Sequence, residues 1–311
     1  MNLLTPIVTA SGWIYSAGAL HAQEGGHFGR PMYYPSEEGE RVYLGREYTK
    51  YLRRPQTELL PAQPYRECPQ IDPWSVVIPS AQIVHCVDTR SAFQSWLAGS
   101  DLRVDIVKHI LKGAGISMDQ CGLGGSVGLG CETTASDIDL LIFGSALALS
   151  CRRAIEDALL MGELALMTNE TVSSYARRYS DLYGLDLNYL HTVFARDLSK
   201  VYYRGQKISF IFTYGECERD KIPLRLYDGC FDQAREIRLK ARVVDGTASW
   251  LYPRKYTIEQ ATGRLYQVWS HHWLRDPVTP AGTLVEVVGR DLGDGTISLT
   301  DLRHHIAPLN I

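Results

Sequence analysis

A chain of 311 residues, 45% hydrophobic and 22% charged, can bury a sizeable core and has neither a disordered nor a collagen-like composition. Its formal net charge of −3 excludes the basic excess that indiscriminate binding to nucleic acid or membrane needs, while leaving room for a local basic patch. The length suits two or three domains.

The seven cysteines, Cys68, Cys86, Cys121, Cys131, Cys151, Cys217 and Cys230, are scattered and form no C-x-x-C pair. That pattern argues against a zinc or redox motif and for a reducing cytoplasm. The amino terminus meets Pro6 and Gly12 before any long apolar stretch develops, so no signal peptide is expected. No segment reaches the roughly 20 apolar residues of a membrane span. The expectation is a soluble, cytoplasmic protein with no membrane partner.

Residues 1–90 alternate short apolar runs, such as Trp13-Ile14-Tyr15 and Val76-Val77-Ile78, with glycine and proline, which predicts a β-rich N-terminal region. A helix is predicted from an N-cap at Asp101, with Leu102, Ile106 and Ile110 on one face and Gly113 as its stop. Further helices are predicted after a cap at Ser150, with Ile155 and Leu159 inward, from about Glu170 to Tyr183, and after Asp186, with Leu187, Leu190, Phe194 and Leu198. Strand texture marks Ile138–Phe143, Lys207–Tyr214 and Ile237–Val244. In the last, odd positions are apolar while Arg238, Lys240 and Arg242 face the other way. The run Leu284–Val288 and the Asp294-Gly295 turn predict a small β hairpin or barrel at the end.

The chemistry concentrates between Gly122 and Gly144. Glycines there allow backbone N–H groups close to an anion. Cys131 and Glu132 occupy the positions where a P-loop requires lysine and a hydroxyl residue, and no G-x-G-x-x-G register fits. What remains is Gly125-Ser126 at a strand end, followed about ten residues later by Asp137-Ile138-Asp139. The two aspartates, two apart at the start of an apolar strand, emerge on one face while Ile138 points into the core. Two such carboxylates repel, and a divalent cation is the usual reason to keep both ionised. Oxygen-only ligands favour Mg2+ or Mn2+ over zinc.

Gly125-Ser126 followed by Asp137-Ile138-Asp139 resembles the hallmark of the DNA polymerase β-type nucleotidyltransferase superfamily, over some 25 residues. The flanks resemble those of stand-alone archaeal proteins of that superfamily. The resemblance implies an α/β (α+β) fold whose palm is a mixed sheet with flanking helices. It also implies that Gly124, Gly125 and Ser126 bind the phosphates of a nucleoside triphosphate and that Asp137 and Asp139 bind the metal. The nucleotidyl group then passes to a hydroxyl of an RNA, protein or small-molecule acceptor, with two ions steadying the attacking and leaving oxygens. The expected division is a β-rich region 1–90, a palm with a helical insertion 91–260 and a small β-rich region 261–311.

The superfamily takes a third carboxylate from a later strand. Ala248–Pro253 resembles that strand in archaeal CCA-adding enzymes but carries no acid at the required position. Asp245 is the nearest substitute, with Glu216 and Glu218 as poorer ones. Without a third acid, the alternative is a nucleotide- or RNA-binding protein that keeps the palm and turns over weakly or not at all. Arg238, Lys240 and Arg242 read as the solvated side of an edge strand rather than a phosphate contact. His271-His272 and His304-His305 read as packing or surface residues rather than ligands. Trp269 and Trp273 read as a core stripe.

Overall fold

The computed structural model describes residues 2–23, 26–51, 62, 64–68, 74–195, 197–227, 234–272, 279–301 and 303–309; Cys230 and Trp273 lie outside them. The described part is mixed α/β, with three sheets and six α-helices. No helix among the described residues is long and apolar enough to cross a membrane.

The N-terminal region forms an eight-stranded sheet. Its strands are β1 (Pro6–Thr9), β2 (Ile14–Gln23), β3 (Gly26–Pro35), β4 (Arg41–Tyr43), β5 (Arg46–Lys50), β6 (Arg66–Glu67), β7 (Val76–Pro79) and β8 (Ile83–Cys86). The order is β4-β5-β3-β2-β1-β8, with β7 also on β3 and β6 on β7. Alternation decides which face is buried: Ile7, Tyr15, Val76 and Ile78 pack with Trp13.

Helix α1 (Thr89–Leu97) begins at Asp88, whose carboxylate accepts the N–H groups of Arg90 and Ser91. Helix α2 (Val104–Gly113) buries Val104, Val107, Ile110 and Leu111. The cap expected at Asp101 falls before this helix. Asp101 accepts the Arg103 N–H at 2.8 Å and pairs with the Arg103 guanidinium.

The chain then lays down β9 (Cys121–Gly124), α3 (Gly125–Leu129), β10 (Ile138–Phe143), α4 (Ser145–Leu160), β11 (Ala165–Leu166), α5 (Asn169–Tyr183), α6 (Leu187–Ala195), β12 (Lys200–Tyr203) and β13 (Gln206–Thr213). The central sheet runs β11-β12-β13-β10-β9. It is mixed, since β10 is parallel to β13 and antiparallel to β9. Helix α4 starts at Ser145 rather than after Ser150, whose hydroxyl donates to the Leu147 carbonyl inside the helix. Helices α5 and α6 form a hairpin packed through Val172, Ala176, Leu190 and Phe194, and Asp186 accepts the Tyr189 N–H as expected of a cap.

The last part comprises β14 (Arg235–Asp245), β15 (Leu251–Tyr252), β16 (Arg254–Gln260), β17 (Leu265–Ser270), β18 (Leu284–Asp291), β19 (Thr296–Leu299) and β20 (His305–Pro308). Strand β15 leaves this group and pairs in parallel with β13 of the central sheet. The others run β14-β16-β17-β19-β18-β20, and pairing of β14 with β18 closes a barrel filled by Val243, Tyr256, Ile258, Val268, Val285 and Val287. The barrel therefore begins at Arg235, not at 261. Strand β14 is an internal strand rather than an edge, because an alternating pattern suits a closed barrel as well as an open sheet. One continuous apolar core joins Leu3 ahead of β1, Phe28 of the first sheet, Ile138, Phe210 and Leu251 of the central sheet, and Trp269 of β17.

Candidate functional site

Strand alternation in the central sheet builds the site. Ile138, Ile208 and Val201 are register partners across β10, β13 and β12, and all three are completely buried. Burying that row turns its neighbours to the opposite face. One neighbouring row is Gly124, Asp139, Ser209 and Lys200 on β9, β10, β13 and β12. The other holds Asp137, just before β10, and Lys207, whose register partner is Tyr202. The Lys207 ammonium donates to Asp137 Oδ2 at 2.7 Å. The two acids thus share a face with two lysines and a serine.

The glycine turn lies against the same acids. Gly125 has φ of +62°, and a Cβ there would stand 2.2 Å from Asp139 Oδ2. Glycine is therefore required both by the backbone conformation and by the carboxylate beside it. Ser126, next in the chain, is buried and donates to Ser136 Oγ at 3.1 Å. Ser136 also accepts the Thr133 N–H at 2.9 Å, while Arg41 donates to the Cys131 carbonyl at 3.0 Å. These contacts fix the segment between Ser126 and Asp137. The buried Arg103 guanidinium donates 3.2 Å bonds to the carbonyls of Ser136 and Lys207. It clasps the entry to β10 against the start of β13.

Charge and burial pull the two carboxyls apart. Burial and the neighbouring Asp137 push Asp139 up to about 6. Burial also acts to raise Asp137, but the charge and hydrogen bond of Lys207 outweigh it and hold this carboxyl below the usual range. Lys207 is raised in turn: Asp137 overcomes the opposing effect of burial.

Both acids open into a cavity of about 730 Å³, within the size range of small-molecule sites. All parts of the molecule contribute to its wall. Arg30 and Lys50 come from the N-terminal sheet, Arg178 from α5, Lys200 and Lys207 from the central sheet and Arg254 from the barrel. Against these cations stand the carboxylates of Asp137, Asp139 and Asp197, so the lining is positive in a chain whose net charge is −3. Tyr175, Tyr179 and Tyr183 line one side at one-turn intervals along α5, with successive ring centroids 6.3 and 5.7 Å apart.

The remaining sequence candidates lie elsewhere. Asp245 is exposed on β14 of the barrel, outside the cavity lining, and its Oδ1 accepts the Thr247 N–H at 2.8 Å. Glu216 and Glu218 follow the far end of β13. Glu218 caps α4, accepting the Ser145 N–H at 2.7 Å and that of Gly215 at 3.0 Å. The residue beside Asp139 on β13 is Ser209. Arg238 pairs with Glu286 at 2.8 Å and Arg242 donates to the Gly282 carbonyl on the barrel's outer side, and neither lines the cavity. Trp269 is wholly buried in the main core. His271 and His304 are also buried, and His304 Nδ1 accepts the N–H groups of Thr300 and Asp301. His272 is buried at the cavity wall.

Sequence reasoning missed Lys207, Lys200, Asp197 and Arg103. Asp197 is buried in the cavity lining, bonded to Lys200 and accepting the Ser199 N–H at 3.1 Å. The signal for Lys207 was available, since it stands two positions before Ser209 on the face opposite Ile208. No group of three His, Cys, Asp or Glu side chains able to hold a metal occurs among the described residues. Compared with protein-family models, curated proteins and solved structures, the chain matches none.

Proposed function

We propose that the cavity binds a nucleoside triphosphate and that the chain transfers its nucleoside monophosphate to a hydroxyl acceptor, as a polymerase β-type nucleotidyltransferase does. The observation that carries this reading is the pairing of Asp137 and Asp139 on one sheet face, against the Gly125 turn, in a cavity whose lysines and arginines outnumber its carboxylates. A strongly anionic ligand suits that lining. Lys207 and the arginines attract the phosphates, and the missing Cβ at Gly125 lets the turn approach the Asp139 carboxylate closely. The acceptor oxygen forms its bond to the α-phosphorus as the bond to the bridging oxygen breaks. Pyrophosphate leaves with that electron pair, and the acceptor proton goes to solvent.

Two nearby carboxylates, one pushed up by burial and by the charge of the other, fit a single divalent cation such as Mg2+ or Mn2+. Asp137 and Asp139 would hold such an ion, which would supply charge neutralisation at the transferring phosphate. The residues do not fit the arrangement of two ions and three carboxylates, because Ser209 occupies the position next to Asp139 and Lys207 engages Asp137. Those two residues favour a second reading, a nucleotide- or RNA-binding protein without turnover.

The test is incubation with labelled triphosphates, Mg2+ or Mn2+, and RNA or protein acceptors. The Asp137→Ala, Asp139→Ala double variant is expected to lose label transfer by about 100-fold or more. Equal transfer by both proteins overturns the enzyme reading. Calorimetric binding of triphosphate without product supports the second.

A further inference from the structure

We infer that Lys207 acts as a built-in cation of the site, so that the triphosphate group is bound without any divalent ion. This rests on the nucleotide reading and adds how charge is balanced within it.

The argument begins with position. Lys207 lies on β13, the strand next to the acids, with its ammonium 2.7 Å from Asp137 Oδ2. Its side chain and that of Asp137 keep relative exposures of 17% and 36%, so the pair remains open to the cavity that both line. The contact is built by the fold. Arg103 bonds the Ser136 and Lys207 carbonyls together and is itself anchored on Asp101 at 2.6 Å. Tyr175 lies under the ammonium, 5.5 Å from ring centroid to Nζ, and an aromatic face is a suitable surface for a cation.

Charge balance supplies the second step. A site of three carboxylates repels a polyphosphate until ions arrive. Here Ser209 replaces one of those charges, and Lys207 offsets a second. Lys200 and Asp197 offset each other on the same face. Asp139 is left as the one carboxylate of the pair without a cation in contact among the described residues, while Lys50, Arg178 and Arg254 add positive charge to the cavity wall. A phosphate chain can therefore approach an ion-free site without meeting a net negative wall.

Calorimetry on the full chain, with inorganic triphosphate and then each nucleoside triphosphate as probe, tests this in EDTA and in MgCl2. The wild type is expected to bind in EDTA within about threefold of its affinity in Mg2+, and Lys207→Met to bind at least about tenfold more weakly in EDTA. Asp137→Asn, which removes the competing carboxylate, is expected to bind more tightly in EDTA than the wild type, a change that mere loss of packing does not produce. Lys207→Arg, retaining the charge, is expected to stay close to wild type, and thermal melts establish that each variant is folded. Abolition of wild-type binding by EDTA, or unaltered binding by folded Lys207→Met, overturns the inference while leaving the nucleotide reading standing. Absence of binding to every triphosphate in both buffers overturns the nucleotide reading itself.

Discussion

Glu218 shows how far an acid's role is set by what folds against it. Burial acts to raise its carboxyl, yet hydrogen bonds from Lys221, Ser145 and Gly215 hold it at about 2. Its side chain is only 11% exposed. Because the folded value lies below that of the unfolded chain, its stabilisation is complete above about pH 4.5 and disappears as the pH falls through about 2. Glu218→Gln is therefore expected to cost up to about 3 kcal/mol at neutral pH. The difference between wild-type and variant urea midpoints is expected to close between about pH 4.5 and pH 2. A constant difference across that range shows that the carboxylate is not the stabilising group. From the sequence, Glu218 was legible only as an acid near a strand end. It serves the opposite end of the parallel pair β10 and β13 from Asp137, and strand direction is a property of the fold. By contrast, the shared face of Asp137 and Asp139 followed from local alternation alone, because Ile138 had to be buried.

At the scale of elements, the clasp between β10 and β13 is the feature most exposed to test. Arg103 is 6% exposed and pairs with Asp101 while bonding two strand-entry carbonyls. Removing one partner of a buried ion pair leaves the other uncompensated, so Arg103→Met is expected to destabilise the chain by about 3 kcal/mol. It is also expected to weaken triphosphate binding in EDTA, since Lys207 loses its register with Asp137. Denaturant melts and calorimetry on the same protein measure both effects; a destabilised variant with undiminished affinity shows that the clasp does not position Lys207. Strands β10 and β13 of the central sheet were readable from their apolar runs, as were α5 and the Asp186 cap; β11 and β12 were not. The start of α4 was not, because its cap is a side chain 73 residues away. Asp245 was attractive through proximity in sequence to Ala248–Pro253, but β14 pairs with β16 and β18, which carries it into the barrel. Periodicity identifies a strand and its buried face; it does not say which sheet will receive it.

At the scale of the molecule, composition suggested three regions with the last beginning at 261, but neither the barrel's start at Arg235 nor the fusion of the parts was legible. Leu3, Phe28, Ile138, Leu251 and Trp269 belong to one continuous core. Shared burial of this kind couples the unfolding of the parts. Scanning calorimetry is expected to give a single transition whose van't Hoff and calorimetric enthalpies agree. Two separated transitions overturn the account of a common core. The cavity has the same composite origin: the acids come from the central sheet, Arg30 and Lys50 from the first sheet, and Arg254 from the barrel.

Strand β15 carries a consequence for how the barrel is held against the central sheet. Leu251 and Tyr252 leave the barrel to pair with Phe212 and Thr213 at the end of β13, and the next strand, starting at Arg254, is already barrel wall. The two bodies are stitched through a shared backbone ladder, so swinging them apart breaks its hydrogen bonds. On the proposed nucleotide reading, selection among ligands would therefore rest on the shape and charge of a wall tied together by this ladder, rather than on a swing of the barrel.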